Sequence, residues 1–473
     1  MASLPDALKL TPMSTVDTMT IDTNVLDPIT ISQTQAKFVL ENKGILDVGS
    51  TFTFSVHPVQ AGDDKCFLPI KTGIHSLIQR AVLKVGTKVL AQSDDYSYYA
   101  TMKRAHKTNE EKSQKDFVLV GSTDVLQPDN QGTGQYQLQD VNYSTAGVST
   151  IDPSVRLRTS QTDCPIFSIK LSDLFPMMRS VQLPLFLMSE PVSVELTFRK
   201  QVNSNASVGT IAVFENGYAG DVSISVGTAN CKFLADYLSY TDDRMEETAR
   251  IVNSEDGLVM PYENLILTNT TIPAVAPAPP IGAPVKQAIT REIGLSGQNV
   301  RSLLIHDKAV LASYVDQLIG QYMSTAYVVS DAYNFRINDQ LVYSRDIVNE
   351  ARKAEQLSKV FGTMINCLNA EYSFDALTNK QNPDHPVTNN SVSTNTVDGI
   401  PMRQVQGQSH YEGLDLSLTP ANVFGAGTTI GLKPMTMSKT VTRTNGENAS
   451  RELRIFATVE QAFSLRRGIV SVA

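Results

Sequence analysis

The chain alternates from Ile29 onward, and TFTFSVH at 51–57 places Phe52, Phe54 and Val56 on one side with Thr or Ser on the other. That two-residue period predicts a half-buried strand. AVLKVGTKVLAQ at 81–92 predicts a tight strand pair, Val82–Val85 and Val89–Leu90, joined at Gly86-Thr87. Behind it, SDDYSYYATMKRAHKTNEEKS starts with Ser93 and Asp94 and contains no Gly or Pro, so a helix is expected to open there. The same unit recurs half a chain later. Phe335–Ile337 reads as a strand, Asn338-Asp339 as a turn and Leu341-Val342 as a strand. Ser344 is expected to cap a helix that stops at Gly362. A strand, turn, strand, helix unit appearing twice indicates a duplicated domain.

Two long β-type runs, 222–240 and 452–473, would each close one half. After the first, TDDRMEETARIVNS is expected to form a short linking helix, with Asp243 and Glu246 as a capping box. VMPYENLILTNTTIP at 259–273 then restarts the strand pattern, and the Pro/Ala run at 273–284 falls inside the second half. Up to Asp27 the chain is polar and Thr-rich without strong periodicity, which reads as an arm ordered only against a partner, or as a disordered terminus. The expected division is an N-terminal arm at 1–27, a first β domain at 28–241, a helical linker at 242–257 and a second β domain at 258–473. Long irregular loops are expected at 121–161, 201–221 and 376–408; loops of more than about 15 residues are usually functional surfaces or disordered.

Composition narrows the function. The chain has 473 residues with 40 Lys+Arg against 48 Asp+Glu, a net charge of −8, which excludes a coat that binds nucleic acid by bulk basicity. Only 19% of residues are charged and 41% are hydrophobic, and abundant Thr, Ser, Asn, Gln and Val lean toward β structure. The N-terminal MASLPDALKLTPMS has no secretory pattern, and no window approaches the roughly 18 apolar residues of a transmembrane helix. Cys66, Cys164, Cys231 and Cys367 lie far apart, which suits neither a disulfide framework nor a structural zinc site.

Chemistry is hard to find in this sequence. His57, His75, His106, His306, His385 and His410 are scattered without metal-ligand spacing. There is no phosphate cradle, and GLSGQ at 294–298 does not form a nucleophile elbow. The acid pairs Asp94-Asp95, Glu110-Glu111, Asp242-Asp243 and Glu246-Glu247 fall mostly at expected helix starts, where capping accounts for them. Lys103, Arg104, Lys107, Lys112 and Lys115 read as a solvated helix face. The absence of tryptophan weakens an indole-based carbohydrate platform. No catalytic, cofactor-binding or metal-ligating residue is assigned, and the chain is expected not to be an enzyme.

Three stretches of the first half, SLIQRAVLKVGTKVLAQSDDYSYYATMKRAH at 76–106, FSIKLSDLFPMMRSVQLPLFLMSEPVSVELTFR at 167–199 and CKFLADYLSYTDDRMEE at 231–247, resemble one known family. So do the unit at 333–362, GLKPM at 431–435 and the ending RELRIFATVEQAFSLRRGIVSV in the second half. The family is the double jelly-roll major capsid proteins of double-stranded DNA viruses, of the polinton-like virus and virophage type, with more distant likeness to nucleocytoplasmic large DNA viruses. The resemblance implies an all-β fold, two tandem eight-stranded jelly-roll β-sandwiches with short helices in the connections and long end loops. It also implies a homotrimer, a pseudo-hexameric capsomer tiling an icosahedral shell. The implied partners are neighbouring capsomers, penton proteins and minor capsid or cement proteins, with no specific nucleic-acid sequence and no transmembrane segment. The implied location is the virion, after synthesis in the host cytoplasm or nucleus without secretion. The competing reading is a β-sandwich carbohydrate-binding protein or carbohydrate-active enzyme, because jelly rolls serve both purposes.

Overall fold

The computed structural model describes residues 19–55, 72–105, 115–122, 166–199, 231–255, 257–275, 285–308, 331–348, 350–360, 411–417, 427–443 and 450–472, and Lys107. It also describes the backbone of short strands at 57–58, 66–67, 125–128, 136–138, 156–157, 213–214, 224–225, 392–397 and 400–405. Eight principal strands form the sandwich of the first half: β1 Thr20–Leu26, β2 Gln35–Val39, β3 Thr51–Phe54, β4 Ile78–Val85, β5 Lys88–Asp94, β6 Phe167–Lys170, β7 Val192–Phe198 and β8 Cys231–Ser239, with the two-residue strands Thr30–Ile31 and Ile45–Leu46 added at β2 and β8. Eight principal strands form the second: β9 Leu258–Ile272, β10 Val285–Ile293, β11 Asn299–Lys308, β12 Ala332–Ile337, β13 Gln340–Leu341, β14 Tyr411–Asp415, β15 Met435–Arg443 and β16 Arg451–Arg466, with Thr428–Thr429 added at β11 and Ile469–Val472 at β16.

The sheet orders show the duplication directly. In the first half one sheet runs β1–β8–β3–β6 and the other β2–β7–β4–β5; in the second they run β9–β16–β11–β14 and β10–β15–β12–β13. Counted from the start of each half, both sets read first–eighth–third–sixth and second–seventh–fourth–fifth. All these pairings are antiparallel. Each half is therefore a jelly-roll sandwich of two facing sheets.

Turn chemistry fixes the hairpins. Gly86 adopts φ of +56° between β4 and β5, a conformation that costs glycine little. Between β12 and β13, Asn338 and Asp339 have φ of +51° and +66°; positive φ at both central residues is what a type I′ turn demands, and Asn and Asp tolerate it best among residues with a side chain.

The two cores differ in composition. The first holds an aromatic stack, with Phe52 on Phe233 at 4.4 Å between centroids and Phe38 edge-on to Phe52 at 5.3 Å. The second is mainly aliphatic around Leu303, Ile305, Ile455 and Val459, with an aromatic pair, Tyr333 and Phe335, at 5.8 Å.

Several local expectations change. Thr20–Leu26, assigned to the arm at 1–27, pairs with β8 along its whole length, from Thr20↔Ser239 to Leu26↔Phe233. It is the first strand of the sandwich, held by backbone bonding more than by apolar burial, and all its side chains are exposed or half-buried. Ser93 and Asp94 end β5, and helix α1 (Tyr96–Ala105) starts after them. Ser344 caps no helix: Ile347 first bridges back to Tyr333, and helix α3 (Glu350–Val360) begins six residues past Ser344. Helix α2 (Asp242–Asn253) follows β8, as the composition suggested, but its N-cap is Thr241 and Asp243 lies inside it, so the proposed capping box does not form.

The long loops also contain strands where they are described. Val125–Pro128 pairs with Tyr136–Leu138 and, on its other side, with Ile400–Val405, which pairs with Val392–Val397. The insertion between β5 and β6 and its counterpart between β13 and β14 thus join in one four-stranded sheet. In the first half, Val213–Phe214, Cys66–Phe67 and Arg156–Leu157 form a smaller ribbon. No helix among the described residues is long and apolar enough to cross a membrane.

Candidate functional site

The most heavily built region outside the two sandwich interiors is the joint between the halves. The outer face of the β9–β16–β11–β14 sheet carries Leu265, Leu304, Tyr411 and Phe456, which belong to the hydrophobic cluster of the first half. Leu303, Ile305, Ile455 and Val459, on the same strands but the opposite face, belong to the core of the second half. A sheet apolar on both faces loses strict alternation, which is why β16 reads LRIFATV. Tyr99 of α1 lies against Phe456 with ring centroids 5.9 Å apart, and the His306 ring sits between Tyr98 at 5.7 Å and Tyr411 at 5.5 Å.

Polar contacts fix the register of this joint. Tyr262 donates its hydroxyl to the Leu90 carbonyl at 2.8 Å, so the edge strand β9 is tied to the edge strand β5. The turn after β16 enters the first half, where Ser189 N donates to Gly468 O at 2.9 Å and Arg467 N donates to Val252 O at 3.0 Å. Asp95 holds the centre. It has φ of +45° and leaves β5 at the angle that starts α1. Its carboxylate lies 3.1 Å from Arg199 of the first half and 3.5 Å from Arg454 of the second, and Arg454 stacks over Tyr98 at 3.9 Å. Asp95 therefore acts as a bridge between the halves, where the sequence suggested a helix cap.

A second ionic cluster lies between the sheets of the second half. Lys439, fully buried, is 2.8 Å from Glu412 and 3.7 Å from Asp307, and Arg451 is 3.5 Å from Asp307. Burial pushes the Asp307 carboxyl up to about 6 against the pull of Lys439 and Arg451. Asp331 accepts from Thr442 N at 2.6 Å and its carbonyl receives the Lys353 ammonium, tying α3 to the start of β12. Such a cluster adds directional constraint more than net stability.

The basic run of α1 is not the solvated face expected. Arg104 is buried beside Asp116 at 3.5 Å, Lys107 reaches the same carboxylate at 2.7 Å, and Lys103 lies 3.3 Å from Asp173. Burial and then Arg179 lower Lys103 to about 8. Lys115 is exposed, and Lys112 is outside the described residues. His75 is buried next to this cluster, with Nδ1 2.9 Å from the Tyr96 hydroxyl, and burial drives it down to about 4. Cys231 is a buried free thiol pushed up to about 12 by burial. Among the described residues no group of three His, Cys, Asp or Glu side chains is placed to hold a metal. The side chains of His57, His106, His385 and His410, and the pair Glu110-Glu111, lie outside the described residues.

The sequence did not single out Tyr262, His306 or Arg454 as partners of the first half. The available signal was the loss of alternation in β16.

No family model matches the chain, and no curated protein matches it in sequence. Solved structures do. PBCV-1 Vp54, as fitted into a reconstruction of the virophage Sputnik, aligns at a TM-score of 0.55 with 11% identity over 98% of both chains. The PBCV-1 virus capsid model aligns at 0.54 with 11% identity, again over 98% of both. The Faustovirus major capsid protein aligns at 0.52 with 10% identity, over 95% of this chain and 91% of that one. The chain has the double jelly-roll fold of these proteins.

Two predictions follow from the buried charges. Asp95→Asn keeps a residue that tolerates positive φ but leaves Arg199 and Arg454 without their shared carboxylate. It is expected to destabilise the protein by roughly 3 kcal/mol, read as a lower thermal midpoint; an unchanged midpoint would show that the bridge carries no weight. His75 is neutral when folded and titrates at its ordinary 6.5 when unfolded, so its contribution to stability is present above pH 6.5 and is lost as pH falls toward 4. His75→Gln should flatten that slope. The stability difference between wild type and variant should change by an amount on the order of 3 kcal/mol from pH 7 to pH 4; a difference independent of pH contradicts the buried neutral imidazole.

Proposed function

We propose that the protein is a major capsid protein, a structural subunit without catalytic residues or cofactor. Its chains associate as homotrimers, and each trimer presents six jelly rolls as a pseudo-hexameric capsomer of an icosahedral shell. The carrying observation is the identical strand order of two fused sandwiches, which makes one chain a pair of near-equivalent building units. The full-length fold likeness to the PBCV-1 capsid and to the Faustovirus major capsid protein supports the same reading.

Shell building asks for stable subunits with many surfaces and needs no reaction centre. Interfaces within an obligate trimer are expected to bury more than about 2,000 Å², while contacts between capsomers can be individually weak because many act together. The joined loop sheet suits the exterior of such a capsomer, and residues 1–18 suit a role against neighbours or minor proteins. Neighbouring capsomers, penton proteins and minor capsid or cement proteins are the partners in this reading, and the virion is its location, after synthesis in the host cytoplasm or nucleus.

Light scattering on the purified protein tests the proposal. The expected mass is about three times the 51.7 kDa chain, or that of closed shells; a monodisperse monomer across micromolar concentrations contradicts it.

A further inference from the structure

Three strands of the second half place a charge where their own two-residue period asks for an apolar side chain. On β15, Met435, Met437, Lys439 and Val441 are the inward positions, and all four are buried. On β11, Asp307 continues the inward series of Leu303 and Ile305, and on β14 Glu412 shares a face with Leu414. The equivalent strands of the first half, β7, β3 and β6, bury Val194 and Leu196, Phe52 and Phe54, and Phe167 and Ile169. A jelly roll thus closes without charges on these strands, and replacing a buried ionic group by apolar residues is often neutral or stabilising. Packing alone does not account for the three charges.

They converge across the two facing sheets. Lys439 stands on the β10–β15–β12–β13 sheet, whereas Asp307 and Glu412 stand on the opposite one, on neighbouring strands whose register pairs Ile305 with Glu412. Lys439 Nζ lies 2.8 Å from Glu412 Oε2 and 3.7 Å from Asp307 Oδ2, and Arg451 Nη1 lies 3.5 Å from that same Oδ2. None of the three side chains is more than 3% exposed, so the groups meet in a dry site. Burial holds the Asp307 carboxyl up at about 6, and it therefore takes a proton close to neutrality. Burial pulls the Lys439 ammonium down, but Glu412 and Asp307 outweigh it and hold the proton on. A neutral amine forms there only when a neighbour accepts that proton. Glu412 Oε2 already accepts the hydrogen bond, and its buried Oε1 has no hydrogen-bond partner among the described residues.

We infer that Lys439 and Asp307 condense into an intramolecular isopeptide bond, with Glu412 carrying the protons, and that this bond ties the two sheets of the second sandwich together covalently. Lys439 Nζ passes one proton through Glu412 to the Asp307 carboxyl, and its freed lone pair attacks Cγ. The C–N bond forms and the C=O electron pair moves onto oxygen, where the Arg451 guanidinium faces the charge. A second proton leaves nitrogen through Glu412 for the hydroxyl; the carbonyl re-forms, the C–O bond breaks and water departs. An ammonium and a carboxylate thereby become one amide and one water, with no oxidant, reductant or cofactor. Holding the reacting groups side by side lowers the barrier, because the entropy of bringing them together is already spent in folding. The step happens once per chain and on the chain itself, so it stands independently of the capsid reading and leaves the protein a structural subunit.

Mass spectrometry of the purified full-length chain reads the bond. The wild type is expected one water lighter than its sequence requires, with the loss localised to a branched proteolytic peptide that joins Lys439 to Asp307. The linked chain should also run faster on a denaturing gel, because a loop stays closed after unfolding. Glu412→Gln removes the proton carrier at nearly constant size, and Lys439→Arg removes the nucleophile while keeping the charge; both are expected at full mass with no branched peptide. A wild-type chain at full mass without that peptide overturns the inference, whatever the variants do, and leaves the cluster as ion pairs only. Loss of water that persists in Glu412→Gln overturns the assignment of Glu412 as the proton carrier.

Discussion

A β-sandwich normally buries one face of each of its sheets, and the β9–β16–β11–β14 sheet buries two. Its inner face closes the second sandwich through Leu303, Ile305 and Ile455; its outer face, through Leu304, Tyr411 and Phe456, merges with the core of the first. Asp95, Arg199, Arg454 and Tyr262 give this second burial direction. The two halves share one hydrophobic cluster, so the joint is a continuation of the first core.

The same constraint explains an asymmetry between the halves. The first-half sheet that corresponds to the doubly buried one alternates along most of β8, which buries Cys231, Phe233, Ala235 and Tyr237 and leaves Lys232, Leu234 and Asp236 half-buried before the buried Leu238 breaks the pattern. Its outer face is left half-buried on β8 and exposed at Ile21 and Val25 of β1. In the second half the corresponding face is more deeply buried at its centre, around Leu265, Leu304, Tyr411 and Phe456, and the strands that form it are longer, 15 and 16 residues for β9 and β16 against 7 and 9 for β1 and β8. Strand length, loss of alternation and an interdomain joint are one physical fact seen at three levels.

Much of this was legible in the sequence wherever local chemistry and tertiary structure agree. Gly86-Thr87 and Asn338-Asp339 specify tight turns whatever surrounds them, so both hairpins and the duplication they reveal could be read directly. β1 was hidden because Asp22 and Asn24 occupy its inward positions and Ile21 and Val25 its outward ones, so no apolar periodicity marks it as part of a core. Asp95 was misread because an acid before a helix usually caps it; only the arrival of Arg199 and Arg454 from distant strands gives it a different role. The strands at 125–128 and 400–405 pair across the two halves, and a partner nearly 280 residues away leaves no local signature. The basic run of α1 looked solvated because Asp116 and Asp173, which neutralise it, lie outside the helix.

In the proposed function one chain supplies two near-equivalent jelly rolls to a ring of six. Electron-microscopic class averages of the purified oligomer, viewed down its axis, test it most directly. The expected image is a closed, roughly hexagonal outline with six lobes and threefold symmetry; a particle with two lobes, or an oligomer without a closed ring, rules the assembly out.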